Sequence, residues 1–495
     1  MELQFAKQGC SCMKRVISQV KELEQTQELR LPDAMPDIGR VLGCWGQILI
    51  RGKHWRTDEV GASGGVMVWV LYAPEDGSAM QTVESWIPFQ MKWDLPETQR
   101  DGTILLQPML TNMDARSISA RKMMLRCNVS VMAQAMEPGE TVYYVPQSVP
   151  EDVQLNVRNY PVVLPFEAGE KSFELEENIS APDFNKIIRY CAQPYVTEQK
   201  VMASRLVFRG GVQMNILYMD ESGNIKSGKY QLPFAQYTDL DRDYSSAATS
   251  RILPVLTGCE IQMGENGVLT VKATVTAQYV INDRTMISLA DDAYSTTREL
   301  KPQMGELTLP MELDSTQMQE DHRADIQDDV REVLDVTALW SHPGISRDGE
   351  LATIEMPVHY QLLCVDANGS PKTLEAKQIF RWQMQSDEGN QIYAYPGAMG
   401  EMHTELTADG VVILNSVSVD TVTVGTAPIP MVTSVELGET KKKDGTGPSL
   451  ILRRPAGQSL WDIAKEYGTT VADIEKANEL SAEPENDKIL LIPVS

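Results

Sequence analysis

Gly65-Val-Met-Val-Trp-Val-Leu-Tyr72 returns 146 residues later as Gly211-Val-Gln-Met-Asn-Ile-Leu-Tyr218. A weaker copy stands another 146 residues on, as Pro357-Val-His-Tyr-Gln-Leu-Leu-Cys364. A fixed long period is the mark of tandem duplication. The offset also links the glycines that follow, in Pro74-Glu-Asp-Gly77, Asp220-Glu-Ser-Gly223 and Asp366-Ala-Asn-Gly369. Glycine supplies the positive φ of a tight hairpin, so each reads as a turn between paired strands. Ile87-Pro-Phe89, Leu232-Pro-Phe234 and Ile379-Phe380 come next, one residue out of step.

The match extends in both directions. Upstream, Pro36-Asp-Ile-Gly-Arg-Val-Leu42 aligns with Pro182-Asp-Phe-Asn-Lys-Ile-Ile188 and Asp328-Asp-Val-Arg-Glu-Val-Leu334. Each reads as a short capped helix feeding a strand. Downstream, Leu125 to Gln134 matches Leu269 to Gln278, and Val412 to Val422 takes that place in the third copy. Leu269, Val271, Ala273, Val275 and Ala277 alternate with Thr and Lys, a period of two that gives a strand with one wet face. Val66 to Leu71 is apolar on both faces and should be covered twice.

The expected fold is therefore mainly β, with three tandem antiparallel β-rich repeats, each with one short helix. The boundaries fall at 1–150, 151–300 and 301–438. Pro-rich and acidic stretches, 137–170 and 301–321, separate the copies. Residues 439–448 read as a solvated linker, because Gly438 to Pro448 contains no apolar residue.

The last segment, 449–495, follows another pattern. Leu450-Ile-Leu452 is a short strand. Ser459-Leu-Trp-Asp462 is a capping box, with Leu460, Ile463, Ala464 and Tyr467 at helical spacing and Gly468 as the left-handed stop. Thr470-Val-Ala-Asp473 opens a second helix that ends near Asn478, and Ile489-Leu-Leu-Ile492 closes the unit. The order is β-α-α-β. This segment resembles a LysM domain through Gly457-Gln-Ser-Leu-Trp-Asp-Ile-Ala-Lys-Glu-Tyr-Gly-Thr-Thr470 and Leu491-Ile-Pro493. The resemblance implies a shallow groove for N-acetylglucosamine glycans between two loops. Gly457, Gln458 and Ser459 form one, and the region of Glu483 to Asp487, with Glu485 and Asn486, forms the other. Asp462 and Asn478 complete the partner- or glycan-binding set, and Lys465 and Glu466 lie on the exposed helix beside it. Gln458 replaces the family's usual Asp, and Pro484-Glu-Asn-Asp487 replaces its Pro-Gly-Gln. These departures weaken the match to a saccharide groove and leave protein binding open.

The three-copy region is similar to the SPOCS domain of sporulation proteins. SPOCS repeats followed by one LysM resemble the SipL family of clostridial spore-coat morphogenetic proteins. That resemblance implies a non-enzymatic scaffold in the mother-cell cytosol at the forespore surface, with the LysM module engaging a coat ATPase of SpoIVA type. Peptidoglycan is the weaker alternative partner.

The chain has 495 residues, which at roughly 150 per domain suggests about three domains. Its 69 acidic and 44 basic residues leave a net charge of −25, which repels nucleic acid and anionic lipid. The longest apolar run, Val66 to Ala73, is far below the roughly 20 residues that span a bilayer. No secretory signal is read at the start, so a cytosolic location is expected. Seven scattered cysteines suit reduced core thiols better than a disulfide framework.

No constellation for chemistry or a cofactor is expected. Gly61-Ala-Ser-Gly-Gly65 matches a nucleophile elbow by letters, but the strand follows the motif, so Ser63 reads as part of a Gly-rich loop. Cys10 and Cys12 lack the further ligands of a metal site and read as a flexible N-terminal segment. The five histidines show no metal-ligand spacing. Asp291-Asp292 and Asp328-Asp329 read as solvated turns or helix starts. Trp461 and Tyr467 read as core residues of the LysM-like module.

Overall fold

The computed structural model describes residues 2–3, 5–95, 102–180, 184–264, 268–309, 311–400, 402–425, 428–441, 449–480 and 488–494. They are mainly β, in small antiparallel sheets. After β1 (Glu2–Leu3), a first strand set comprises β2 (Phe5–Arg30), β3 (Ile38–Trp55), β4 (Glu59–Pro74), β5 (Gln81–Asp94), β6 (Thr103–Ser119) and β7 (Lys122–Pro146). β3-β4-β5 is one sheet and β2-β7-β6 another. A second set comprises β8 (Val153–Ser180), β9 (Phe184–Met202), β10 (Arg205–Asp220), β11 (Ile225–Asp239), β12 (Thr249–Met263) and β13 (Val268–Ser295). Its sheets are β9-β10-β11 and β8-β13-β12, in the same order.

After β14 (Arg298–Leu307), a third set comprises β15 (Met311–Gln327), β16 (Glu332–Trp340), β17 (Gly344–Asp348), β18 (Leu351–Val365), β19 (Pro371–Gln385), β20 (Gln391–Met399), β21 (His403–Thr407) and β22 (Gly410–Gly425). β16, β17 and β19 pair with β18, and β15, β20 and β21 pair with β22. β23 (Ile429–Thr440) then joins β1 and β14 in a separate sheet. The chain ends in β24 (Leu450–Arg453), α1 (Leu460–Tyr467), α2 (Val471–Asn478) and β25 (Leu490–Pro493).

In each set the two sheets pack face to face over an apolar layer. Val66, Val68, Val70 and Tyr72 of β4 meet Leu125, Cys127, Val129 and Val131 of β7 in the first. Met214 and Ile216 of β10 meet Val271 and Ala273 of β13 in the second. Met356 and Val358 of β18 meet Val417 and Val419 of β22 in the third. Period-two patterning drives this, since alternate residues share a face. Gly77, Gly223 and Gly369 turn the hairpins with φ of 73°, 81° and 79°.

The three sets also share a core. Leu42, Ile188 and Leu334 stand 146 residues apart, as do Leu71, Leu217 and Leu363, and all six meet in one cluster. Matching positions converge at a point when their carriers are arranged around a common axis. Buried polar contacts sew the seams. Gln278 donates to Leu106 O at 2.7 Å and accepts from Leu106 N at 2.8 Å. His342 Nε2 accepts from Met132 N at 3.1 Å, Gln134 donates to the Tyr395 hydroxyl at 2.6 Å, and Arg189 ion-pairs with Asp335.

Several expectations are corrected. The short helix at the start of each copy is absent among the described residues. Ile38 begins strand β3, Phe184 begins strand β9, and 328–331 precede strand β16. A seven-residue helix bears the full nucleation cost, whereas a ladder to the next strand satisfies the same backbone groups. The Pro-rich stretches are largely strand. Beyond Met136, β7 has only β2 as a partner, so Pro138 sits on a one-sided pairing where its missing N–H is tolerated. Cys10 and Cys12 lie inside β2, opposite Thr141 and Gly139 of β7, and not in a loose segment. Ser63 lies within β4, not in a loop. A Cβ on Gly64 would fall 2.3 Å from Leu49 O, so glycine there lets two strands pack closely. The expected linker begins as strand, since Thr440 pairs with Arg298 and Lys441 N donates to Thr297 O at 2.8 Å; 442–448 lie outside the described residues. The expected boundaries at 300/301 and 438/439 fall within β14 and β23.

Candidate functional site

The terminal unit is built by its caps. The Ser459 side chain accepts from Asp462 N while the Asp462 carboxylate accepts from Ser459 N, a reciprocal capping box. Gly468 stops α1 in the left-handed region at φ 64°, and Thr470 caps α2 by accepting from Asp473 N at 3.0 Å. These caps satisfy donors and acceptors that a helix of eight residues leaves open at its ends. Leu460, Ile463, Ala464, Ile474, Leu490 and Ile492 are all buried and form the core. β24 and β25 pair antiparallel, with Leu452 opposite Leu491.

Gly457, Gln458, Ser459 and Asp462 lie together at the entry to α1. Gly457 turns the chain at φ 87°, a conformation that suits glycine. Gln458 N donates to Pro455 O at 3.0 Å, and its side-chain carbonyl accepts from Arg453. Arg453 also bonds the Tyr467 hydroxyl at 3.0 Å and pairs with Glu466 at 2.6 Å, which fixes one wall of this corner. Asn478 stands apart from it. Its amide donates to Ile474 O at 2.8 Å and Leu491 O at 2.7 Å, and accepts from Leu491 N at 2.7 Å. Those bonds clamp β25 to the end of α2. Glu485 and Asn486 lie outside the described residues.

The outer face of α1 is occupied by the body of the protein. Asp292 of β13 accepts from Trp461 Nε1 at 2.8 Å and from Lys465 Nζ at 2.7 Å. Tyr294 of β13 donates to Thr469 O at 2.8 Å and meets the Trp461 ring edge-on, with centroids 4.8 Å apart. Tyr294 is only 4% exposed and belongs to the small unit's core. Burial raises the Asp292 carboxyl's pKa, but the bonds from Lys465 and Trp461 outweigh that and hold it below the usual range. Trp461 is thus a partly buried docking residue as well as a packing one. Asp292 is not in a solvated turn, and Asp291 pairs with Arg158 at 2.7 Å. The sequence signal for this contact is faint: an acid pair interrupting an apolar strand.

The chain carries a SipL SPOCS domain and a LysM domain. The family description "SipL, SPOCS domain" matches residues 183–263, which run from the start of β9 to the end of β12. The LysM domain matches residues 456–483, which contain both helices. No curated protein and no solved structure matches the chain. The two domains fit a sporulation-related protein, and LysM domains commonly bind peptidoglycan. Among the described residues no helix is long and apolar enough to cross a membrane, and no group of three or more His, Cys, Asp or Glu could hold a metal ion. The seven cysteines are free thiols, five of them buried.

Proposed function

We propose that this chain is a non-enzymatic scaffold of sporulation that helps assemble or localise the spore coat around the forespore. Its three strand sets form the platform, and its LysM module captures a coat morphogenetic ATPase of SpoIVA type in the mother-cell cytosol. The observation that carries this reading is the union of a SipL SPOCS domain and a LysM module in one chain, with the module seated on β13. Seating removes orientational freedom that a free tether would lose on binding, so weak contacts gain from preorganisation. The corner of Gly457, Gln458, Ser459 and Asp462 is the proposed contact surface. The LysM match itself favours one second reading, in which that corner binds N-acetylglucosamine oligomers.

Affinity capture from sporulating cells, with the full chain and a chain lacking 449–495, tests the first reading. Recovery of the coat ATPase by the full chain alone is the expected result, and no coat protein in either sample would sink it. Calorimetry with N-acetylglucosamine oligomers tests the second, where saturable heat would shift the assignment to the glycan.

A further inference from the structure

β5, β11 and β19 hold the same place in their sets, each pairing with its sheet's central strand from the outside. An outer strand presents unpaired N–H and C=O groups to any strand that approaches. Two of the three carry a proline at one matching ladder position. Pro88 faces Gly65 across an unbroken register, and Pro233 faces Gly211 likewise. Proline cannot donate to an added strand, so it guards such an edge. At the matching position of β19 the residue is Ile379, opposite Pro357, and the proline has moved to the central strand. Ile379 is 48% exposed, a large apolar side chain on an edge without that guard.

The sequence of β19 complements itself in one register. Paired antiparallel with its own copy about Gln378, the strand sets Glu375 opposite Arg381 of the second copy, twice over. Ile379 then lies against the aliphatic stem of Lys377, and on the other face Ala376 lies opposite Phe380, small against large. Shifting the centre by one residue sets Lys377 opposite Arg381 or opposite itself, and like charges directly across a ladder repel. The Glu375 and Arg381 side chains are 51% and 64% exposed, and Glu375 Oε2 lies 3.1 Å from His359 Nε2, a contact that docking would have it share or leave. Within the chain Arg381 uses Nε toward Glu355 at 2.7 Å, and a guanidinium has four further donors.

We propose that β19 is the edge at which a second copy of this chain docks, pairing about Gln378 to make one continuous sheet across a twofold axis. The interface is isologous, as closed dimers require. Light scattering over a concentration series reads the outcome. The wild-type chain is expected to dimerise, and Ile379→Pro to weaken the dimer about tenfold or more. That variant should keep its melting temperature, since proline stands at the same place in β5 and β11. Glu375→Arg and Arg381→Glu should each be monomeric alone, and their equimolar mixture should dimerise, because every facing pair is then opposite in sign. A wild-type chain that stays monomeric would overturn the proposal, even if a foreign strand crosslinks at Ile379. A dimer indifferent to Ile379→Pro, or a mixture that fails to associate, would overturn it equally.

Discussion

Asp292 joins two parts of the chain through one carboxylate, and its ionisation decides whether the joint holds. Its pKa is held below the usual range, so the contact is fully present above the ordinary carboxylate range and is lost as pH falls through the lowered value. Asp292→Asn removes the charge at every pH. The expected result is a red-shifted Trp461 emission from an indole that gains water, with the helical circular dichroism of α1 and α2 unchanged. An unshifted emission would show that Tyr294 alone seats the module. His342 gives a second pH dependence of the same sign and a different cause. Burial lowers its pKa from 6.5 to about 4, against the weaker opposing pull of the Gln107 and Ser130 backbone carbonyls, which favour a protonated ring. The folded chain keeps the ring neutral while the unfolded chain protonates it. Stability is therefore complete above pH 6.5 and falls as pH approaches 4, by about 3 kcal/mol. His342→Gln keeps an acceptor for Met132 N–H and should flatten that slope in urea titrations across this range.

At the scale of elements, what could be read ahead was local. Gly77, Gly223 and Gly369 announce hairpins because a tight turn needs positive φ within four residues. Ser459 and Asp462 announce α1 because a capping box closes over three. The parts that misled depend on distant partners. Pro36 to Leu42 carries capping residues, yet its strand is fixed by β4, where Ile38 faces Pro74. Cys10 sits in β2 because β7, about 130 residues away in sequence, supplies the ladder. The Trp461 docking depends on Asp292, 169 residues earlier, and no spacing rule reaches so far. Two glycines of the β4–β5 hairpin, Gly64 within β4 and Gly77 in the turn that follows it, separate local from tertiary demands. Gly77→Ala meets no atom within 4 Å and carries only the left-handed backbone cost of about 1–2 kcal/mol. Gly64→Ala drives a Cβ to 2.3 Å from Leu49 O and must move a strand, at about 1–3 kcal/mol or more. Urea midpoints should rank Gly64→Ala as the more damaging, and the reverse order would place the close strand approach elsewhere.

For the whole molecule, the question is whether the three strand sets melt separately. Each has its own sandwiched apolar layer, which alone would favour independent units. The shared cluster argues the other way, because Leu71, Leu217 and Leu363 are each 1% exposed or less and bury one another across the sets. Gln278 adds to that coupling, since losing its partner set would leave the Leu106 N–H and C=O unpaired in a dry seam. A cluster drawn from all three sets cannot be vacated by one without exposing the other two. Leu217→Ala opens a cavity at that meeting point and should cost about 2–5 kcal/mol. Because the loss is shared, calorimetry should show one transition for the strand sets moving to lower temperature as a whole. Separate peaks, with only the middle one displaced, would mean that the sets merely touch and that the platform is a string of independent beads.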